Sequence, residues 1–129
     1  MDGEVTSSVM AAMRGAAERA HPAEACGILL GEAGRISTLL ETQNVHPNPQ
    51  THFEIDPAAL IAAHKEAREG GAAVLGYFHS HPAGEARPSA TDQAQSAGDG
   101  AIWAIASEEE ISFWRDHPQG FQHLQYNIV

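Results

Sequence analysis

Residues 76–92 read GYFHSHPAGEARPSATD: an apolar run, two histidines flanking a serine, a loop with Pro and Gly, then Ser-Ala-Thr-Asp. In an extended strand residues i and i+2 face the same way, so His79 and His81 stand side by side while Ser80 faces the opposite side. Pro82 cannot continue a central strand, which puts the pair at the strand's end, where side chains project into a cleft. Two imidazoles on one rigid face can share a metal ion, although an H-x-H at a strand end is equally an ordinary exposed polar pair.

The second half of the stretch has two compatible readings. Ser89-x-x-Asp92 after a proline is a helix-capping box in its own right. A capped helix start also holds Asp92 in its first turn, where the carboxylate can turn towards the histidines as a third, oxygen ligand. Two imidazoles, one carboxylate and a water make the open tetrahedral set of a catalytic zinc site, whereas structural sites fill all four positions with protein. Glu85 and Asp99 are rival third ligands. Asp92 ranks first, because Glu85 lies in a loop and Asp99 between glycines.

Working outwards, AAVLGYFHSH (72–81) reads as a largely apolar strand and SATDQAQSA (89–97) as a short helix. AIWAIA and ISFWRD are strands either side of the acidic turn SEEE, and HLQYNIV (123–129) is a single closing strand. Upstream, residues 7–20 place Val9, Met10, Met13, Ala17 and Ala20 at helical spacing, with Ser7 or Ser8 as N-cap and Pro22 stopping the run. CGILLG and RISTLLE form a hairpin or neighbouring strands, and NVHPNPQTH (44–52) is a long loop. In IDPAALIAAHKEAREGG (55–71) Asp56 caps a second helix, Pro57 suits its first position, and Gly70-Gly71 ends it. Strands and helices interleave without repeats or linkers, so the chain reads as one α/β domain over residues 1–129, a mixed β-sheet flanked by helices.

Composition narrows the function. Among 129 residues, 17 are acidic and 7 are Lys or Arg, for a net charge of -10. A surface that tracks phosphates needs basic side chains, so nucleic acid is excluded as the expected partner. Cys26 is the sole cysteine, which rules out an intrachain disulfide and a four-cysteine zinc site. The opening MDGEVTSSVM lacks the basic and apolar regions of a signal peptide, and no apolar run approaches the roughly 18 residues of a membrane span. A cytoplasmic protein with no membrane contact is the expectation.

Taken together, HSHPAGEARPSATD resembles the JAMM (MPN-plus) metalloproteases, whose pattern is H-x-H, seven residues, then S-x-x-D. An upstream glutamate in HPAEACGILLG and the HFEIDP and AREGG neighbourhoods are similar to the compact bacterial members. The resemblance implies the MPN/JAB fold, related to that of cytidine deaminases, and one Zn2+ per chain held by His79, His81 and Asp92. It implies Glu24 as the general base and Ser89 as an oxyanion donor. It further implies hydrolysis of an amide or isopeptide bond by metal-activated water, with the C-terminal tail of a ubiquitin-like or sulfur-carrier protein as a candidate substrate. Such a tail could dock by adding a strand to a sheet edge beside the zinc, and loops 44–52 and 82–88 are expected to set selectivity. Two alternatives stand beside this reading: a non-catalytic MPN-type interaction module, which usually lacks the ligands, and a zinc hydrolase of a small amide or amino-acid conjugate.

Other reactive side chains fit structural roles. His21, His46, His52, His64, His117 and His123 are scattered without metal-ligand spacing. Cys26 opens an apolar strand, where a thiol is usually buried and inert. Trp103 and Trp114 are expected on the sheet. The H-x-E and P-C-x-x-C elements of zinc deaminases are absent.

Overall fold

The near-continuous apolar runs of β2 (Cys26–Glu32) and β4 (Ala73–Ser80) build the centre of the molecule. The computed structural model describes residues 2–129. The remaining elements are β1 (Gly3–Val5), α1 (Ser7–Ala20), β3 (Arg35–Thr42), α2 (Pro57–Arg68), α3 (Ala90–Gln95), β5 (Ile102–Ala106), β6 (Ile111–His117), β7 (Gly120–Leu124) and β8 (Tyr126–Ile128). All strands join one 8-stranded sheet in the order β7-β6-β5-β4-β2-β3-β1-β8. It is mixed: β4 runs parallel to β5, and β1 parallel to β3 and β8, while the other pairs are antiparallel.

Alternate residues of the central strands face opposite layers. Leu29 and Phe78 join Val9, Met10, Met13 and Ala16 of α1 in the larger core. Cys26, Ile28 and Tyr77 pack with Ile55, Leu60 and Ala63 on the α2 side. Both helices are capped as their sequences require, with one correction. The cap of α1 is Thr6, whose Oγ1 accepts from Val9 N at 3.2 Å, and Ser7 and Ser8 lie inside the first turn. Asp56 accepts from Ala58 N at 3.0 Å ahead of Pro57, and Gly70, at φ +96, turns the chain out of α2 so that Gly71 N reaches Glu66 O.

Two elements depart from expectation at the sheet's ends. HLQYNIV is not one strand: β7 pairs with β6, the chain breaks at Gln125, and β8 pairs with β1. β1, three residues long, has too little pattern to be read from sequence. Since β7 and β8 are the two ends of the sheet order yet only Gln125 separates them, the sheet curls around α1. Phe113 of β6 and Tyr126 of β8 stack at 4.7 Å across that curl.

Under the site, β4 and β5 approach closely because position 76 is glycine. A Cβ there would stand 1.8 Å from the Ile102 carbonyl oxygen. No helix among the described residues is long and apolar enough to cross a membrane.

Candidate metal and catalytic site

The end of β4 delivers His79 to the α2 face and Ser80 to the α1 face, and His81 follows as the chain leaves the sheet. The Ser80 hydroxyl accepts from Ala25 N at 2.8 Å, which ties the segment before β2 to the strand end. After the 82–88 loop, Ser89 caps α3. Its hydroxyl accepts from Asp92 N at 3.1 Å while the Asp92 carboxylate accepts from Ser89 N at 2.9 Å. That reciprocal box fixes Asp92 with its carboxylate turned to the histidines.

Three donor atoms converge there. His79 Nε2 lies 3.0 Å from His81 Nε2 and 3.1 Å from Asp92 Oδ1, and His81 Nε2 lies 3.0 Å from Asp92 Oδ2. All three side chains are buried, His79 completely. His81 Nδ1 donates to the Glu85 carbonyl at 2.7 Å, so this nitrogen carries the hydrogen and Nε2 of the neutral ring offers its lone pair to the cluster. Phe53 lies over His79 with ring centroids 4.3 Å apart, and Trp103 meets the same ring edge-on.

The electrostatics match the geometry. Burial pushes the His79 imidazole down. Burial also disfavours charge on His81, but the Asp92 carboxylate and the Glu85 carbonyl outweigh it and hold that ring up. Asp92 is desolvated, yet the His79 and His81 rings beside it and the Ser89 N–H hold its carboxyl well below the usual carboxylate range. Two imidazoles and an ionised carboxylate with lone pairs directed at one point could hold a metal ion; the donor atoms lie within 4.8 Å of one another. The set fits zinc with a coordination position left open.

Glu24 is the fourth acidic or basic group of the site. It is 6% exposed, and its carboxyl is pushed up to about 7 by burial, with His81 opposing and Asp92 adding to the rise. Glu24, His81 and Ser89 line one cavity of about 460 Å³, together with Gln50, Thr51 and residues of the 82–88 loop. The loops 44–52 and 82–88, expected to set selectivity, both contribute residues to this cavity's lining. The Ser89 hydroxyl uses a lone pair for the cap, so its own hydrogen remains available to the cavity.

The rival ligands fall outside the cluster. The Glu85 side chain is exposed and pairs with Arg87 at 2.9 Å, contributing its backbone carbonyl instead. Asp99 accepts from Ala101 N at 3.0 Å. The Cys26 thiol is buried and pushed up by burial, so it is a poor nucleophile. Trp103 is buried on β5. Phe53, the Glu85 carbonyl and the Ser80 hydroxyl had no sequence signal: each acts through a contact between distant segments.

Residues 6–117 match the family of prokaryotic homologs of the JAB domain. The chain belongs to this family. Within it, the chain is 29% identical over 108 residues to the desampylase of Haloferax volcanii, covering 82% of this chain and 78% of that one. It is 28% identical over 127 residues to the CysO-cysteine peptidase of Mycobacterium tuberculosis, covering 97% and 82%. A solution structure of a protein from Desulfitobacterium hafniense superposes with a TM-score of 0.85 at 30% identity, covering 98% of this chain and 92% of that one. The structure described as a JAMM metalloprotease-like zinc site in the proteasome and signalosome shares the fold, with a TM-score of 0.66 at 18% identity over 100% and 99% of the two chains. This JAB-family chain is a JAMM-type metallopeptidase. The interaction-module alternative falls with that assignment.

The sheet corrects one expectation about docking. Its free edges are β7 and β8, and β4 lies between β5 and β2. Among the described residues β4 is paired on both sides, so the site strand itself offers no open edge for strand addition.

Proposed function

We propose that this chain is a zinc-dependent peptidase or isopeptidase that cleaves an amide bond at the C-terminal tail of a ubiquitin-like sulfur-carrier protein. The convergence of His79, His81 and Asp92 on one point, with Glu24 and Ser89 on the same cavity wall, carries the reading. In this reading those three residues hold one zinc ion. Bound zinc supplies Lewis acidity, lowering the pKa of a water to about 7 and polarising a carbonyl.

The chain's own groups carry the proton. Glu24, placed near neutrality by burial, accepts it from the attacking water and passes it to the leaving nitrogen, both transfers being close to balanced at that pKa. Ser89 donates its free hydroxyl hydrogen to the developing oxyanion. Asp92 and the Glu85 carbonyl orient the imidazoles, and Phe53 shields His79 from water. The substrate class rests on relatives named desampylase and CysO-cysteine peptidase. A lone buried thiol suits the reducing cytoplasm.

The test is a cleavage assay on carrier proteins extended at their C-termini, with zinc measured on the purified enzyme. Release of the extension by zinc-loaded enzyme, and its loss on chelation, is expected. Cleavage of small amides with none of any carrier would refute the substrate class.

A further inference from the structure

The backbone of Glu24 precedes β2 and takes no part in its strand pairing. What holds it comes from a different part of the chain. Its N–H donates to Pro49 O at 2.7 Å, and its carbonyl accepts from Asn44 Nδ2 at 3.0 Å. The same Asn44 amide reaches His52 O at 2.9 Å and Pro49 O at 3.4 Å. Its Oδ1 accepts from His46 N at 3.1 Å and Glu54 N at 3.0 Å. Both hydrogens and both lone pairs of the amide are engaged. One side chain thus folds the 45–54 loop and joins it to Glu24. Gln50 and Thr51 of that loop line the cavity into which Glu24 faces.

We infer that Asn44 is a positioning residue for Glu24: its amide shapes the 45–54 loop and clamps the Glu24 backbone, so that the wall a substrate touches is also the mount of the base. The inference rests on Glu24 being the base. Catalysis by a base depends on its placement, and an error of about 1 Å costs up to roughly 10²-fold in rate. Asn44 makes no hydrogen bond to any of the three metal-facing side chains, so its loss is expected to leave metal binding intact.

The test uses Asn44→Asp, which keeps the acceptor oxygen but sets an oxygen against the carbonyls of Glu24, Pro49 and His52. Asn44→Ala, which adds no charge, serves if that variant does not fold. We expect kcat to fall by about 10- to 100-fold with zinc content unchanged. Amide hydrogen exchange at Glu24 accelerates, while exchange at His81, whose N–H donates to Ala106 O at 2.7 Å, stays as in the wild type. In a Glu24→Gln background the Asn44 substitution costs no further kcat, because its effect runs through that side chain. Equal losses in both backgrounds, or full kcat despite faster exchange at Glu24, overturn the inference while leaving the base assignment standing. Near-wild-type turnover in Glu24→Gln alone overturns the base assignment and the inference with it.

Discussion

Glu24→Gln is expected to make the metal-free protein more stable and the enzyme nearly inactive. Burial raises the carboxyl from 4.5 in an open environment to about 7 in the fold, so the folded state disfavours its ionisation. Below pH 4.5 the group is protonated both folded and unfolded, and the penalty is absent. It grows as pH rises from 4.5 and is complete above about 7. The gap corresponds to about 3 kcal/mol of folding free energy lost at pH 8, with little solvent screening at 6% exposure. Glutamine cannot ionise, but its amide is desolvated too, which leaves a net gain of about 1 to 3 kcal/mol. For a chain of this size that raises Tm by about 4 to 12 °C. The assay is thermal unfolding of chelator-stripped wild type and variant at pH 4 and pH 8. Between pH 4 and pH 8 the variant's Tm should rise relative to that of the wild type, while turnover of the zinc-loaded variant falls by about 10² to 10⁴-fold. Equal stability at pH 8, or a difference that ignores pH, would refute the argument that a buried, destabilised carboxyl serves as the base.

Ser89→Ala should cost about 1 kcal/mol through the lost cap and, in the same variant, about 10²-fold in turnover through the lost oxyanion donor; a stability loss with unchanged turnover would leave only the cap. His81→Ala and Asp92→Ala should each lose zinc by elemental analysis yet keep wild-type far-UV circular dichroism, since the cores on both sheet faces do not depend on the ion. Gly76→Ala should destabilise by about 1 to 3 kcal/mol in urea titrations, because its Cβ would meet the Ile102 carbonyl at 1.8 Å and β5 would have to move. An unchanged midpoint would show that β4 and β5 tolerate the separation.

The parts of this protein legible in its sequence are those whose cause is local. Asp56, Pro57 and Gly70 carry the ends of α2 in their own conformational preferences, and the apolar spacing of Val9, Met10 and Met13 marks the buried side of α1. Ser89 and Asp92 sit one helical turn apart, so their reciprocal bonding needs no knowledge of the rest of the chain. Contacts across the sheet's ends or between loops leave no such trace. β1 exists because β3 and β8 flank it, and Phe53 covers His79 because α2 draws its loop over the strand end. Asn44 in a Pro-rich loop reads as an ordinary turn residue until its five partners are seen.

Glu24 lies between these cases, and the register of β2 on β4 decides its place. Cys26 pairs with His79 and Gly27 with Phe78. Carried one step beyond Cys26, the same antiparallel register sets Ala25 against Ser80, where the bonds from Ser80 N to Ala25 O at 3.1 Å and from Ala25 N to Ser80 Oγ at 2.8 Å are made. Glu24 then falls opposite His81. A slip of one residue would send its side chain to the other face of the sheet. Glycine narrows that choice: a Cβ at position 27 would stand 2.6 Å from Leu40 O, so only glycine fits there where β2 lies against β3. The hydroxyl between the two histidines is therefore more than a spacer. By taking Ala25 N as its partner, Ser80 locks the register that carries the base to the metal ligands, which ties the H-x-H motif to a glutamate that no local pattern could connect with it.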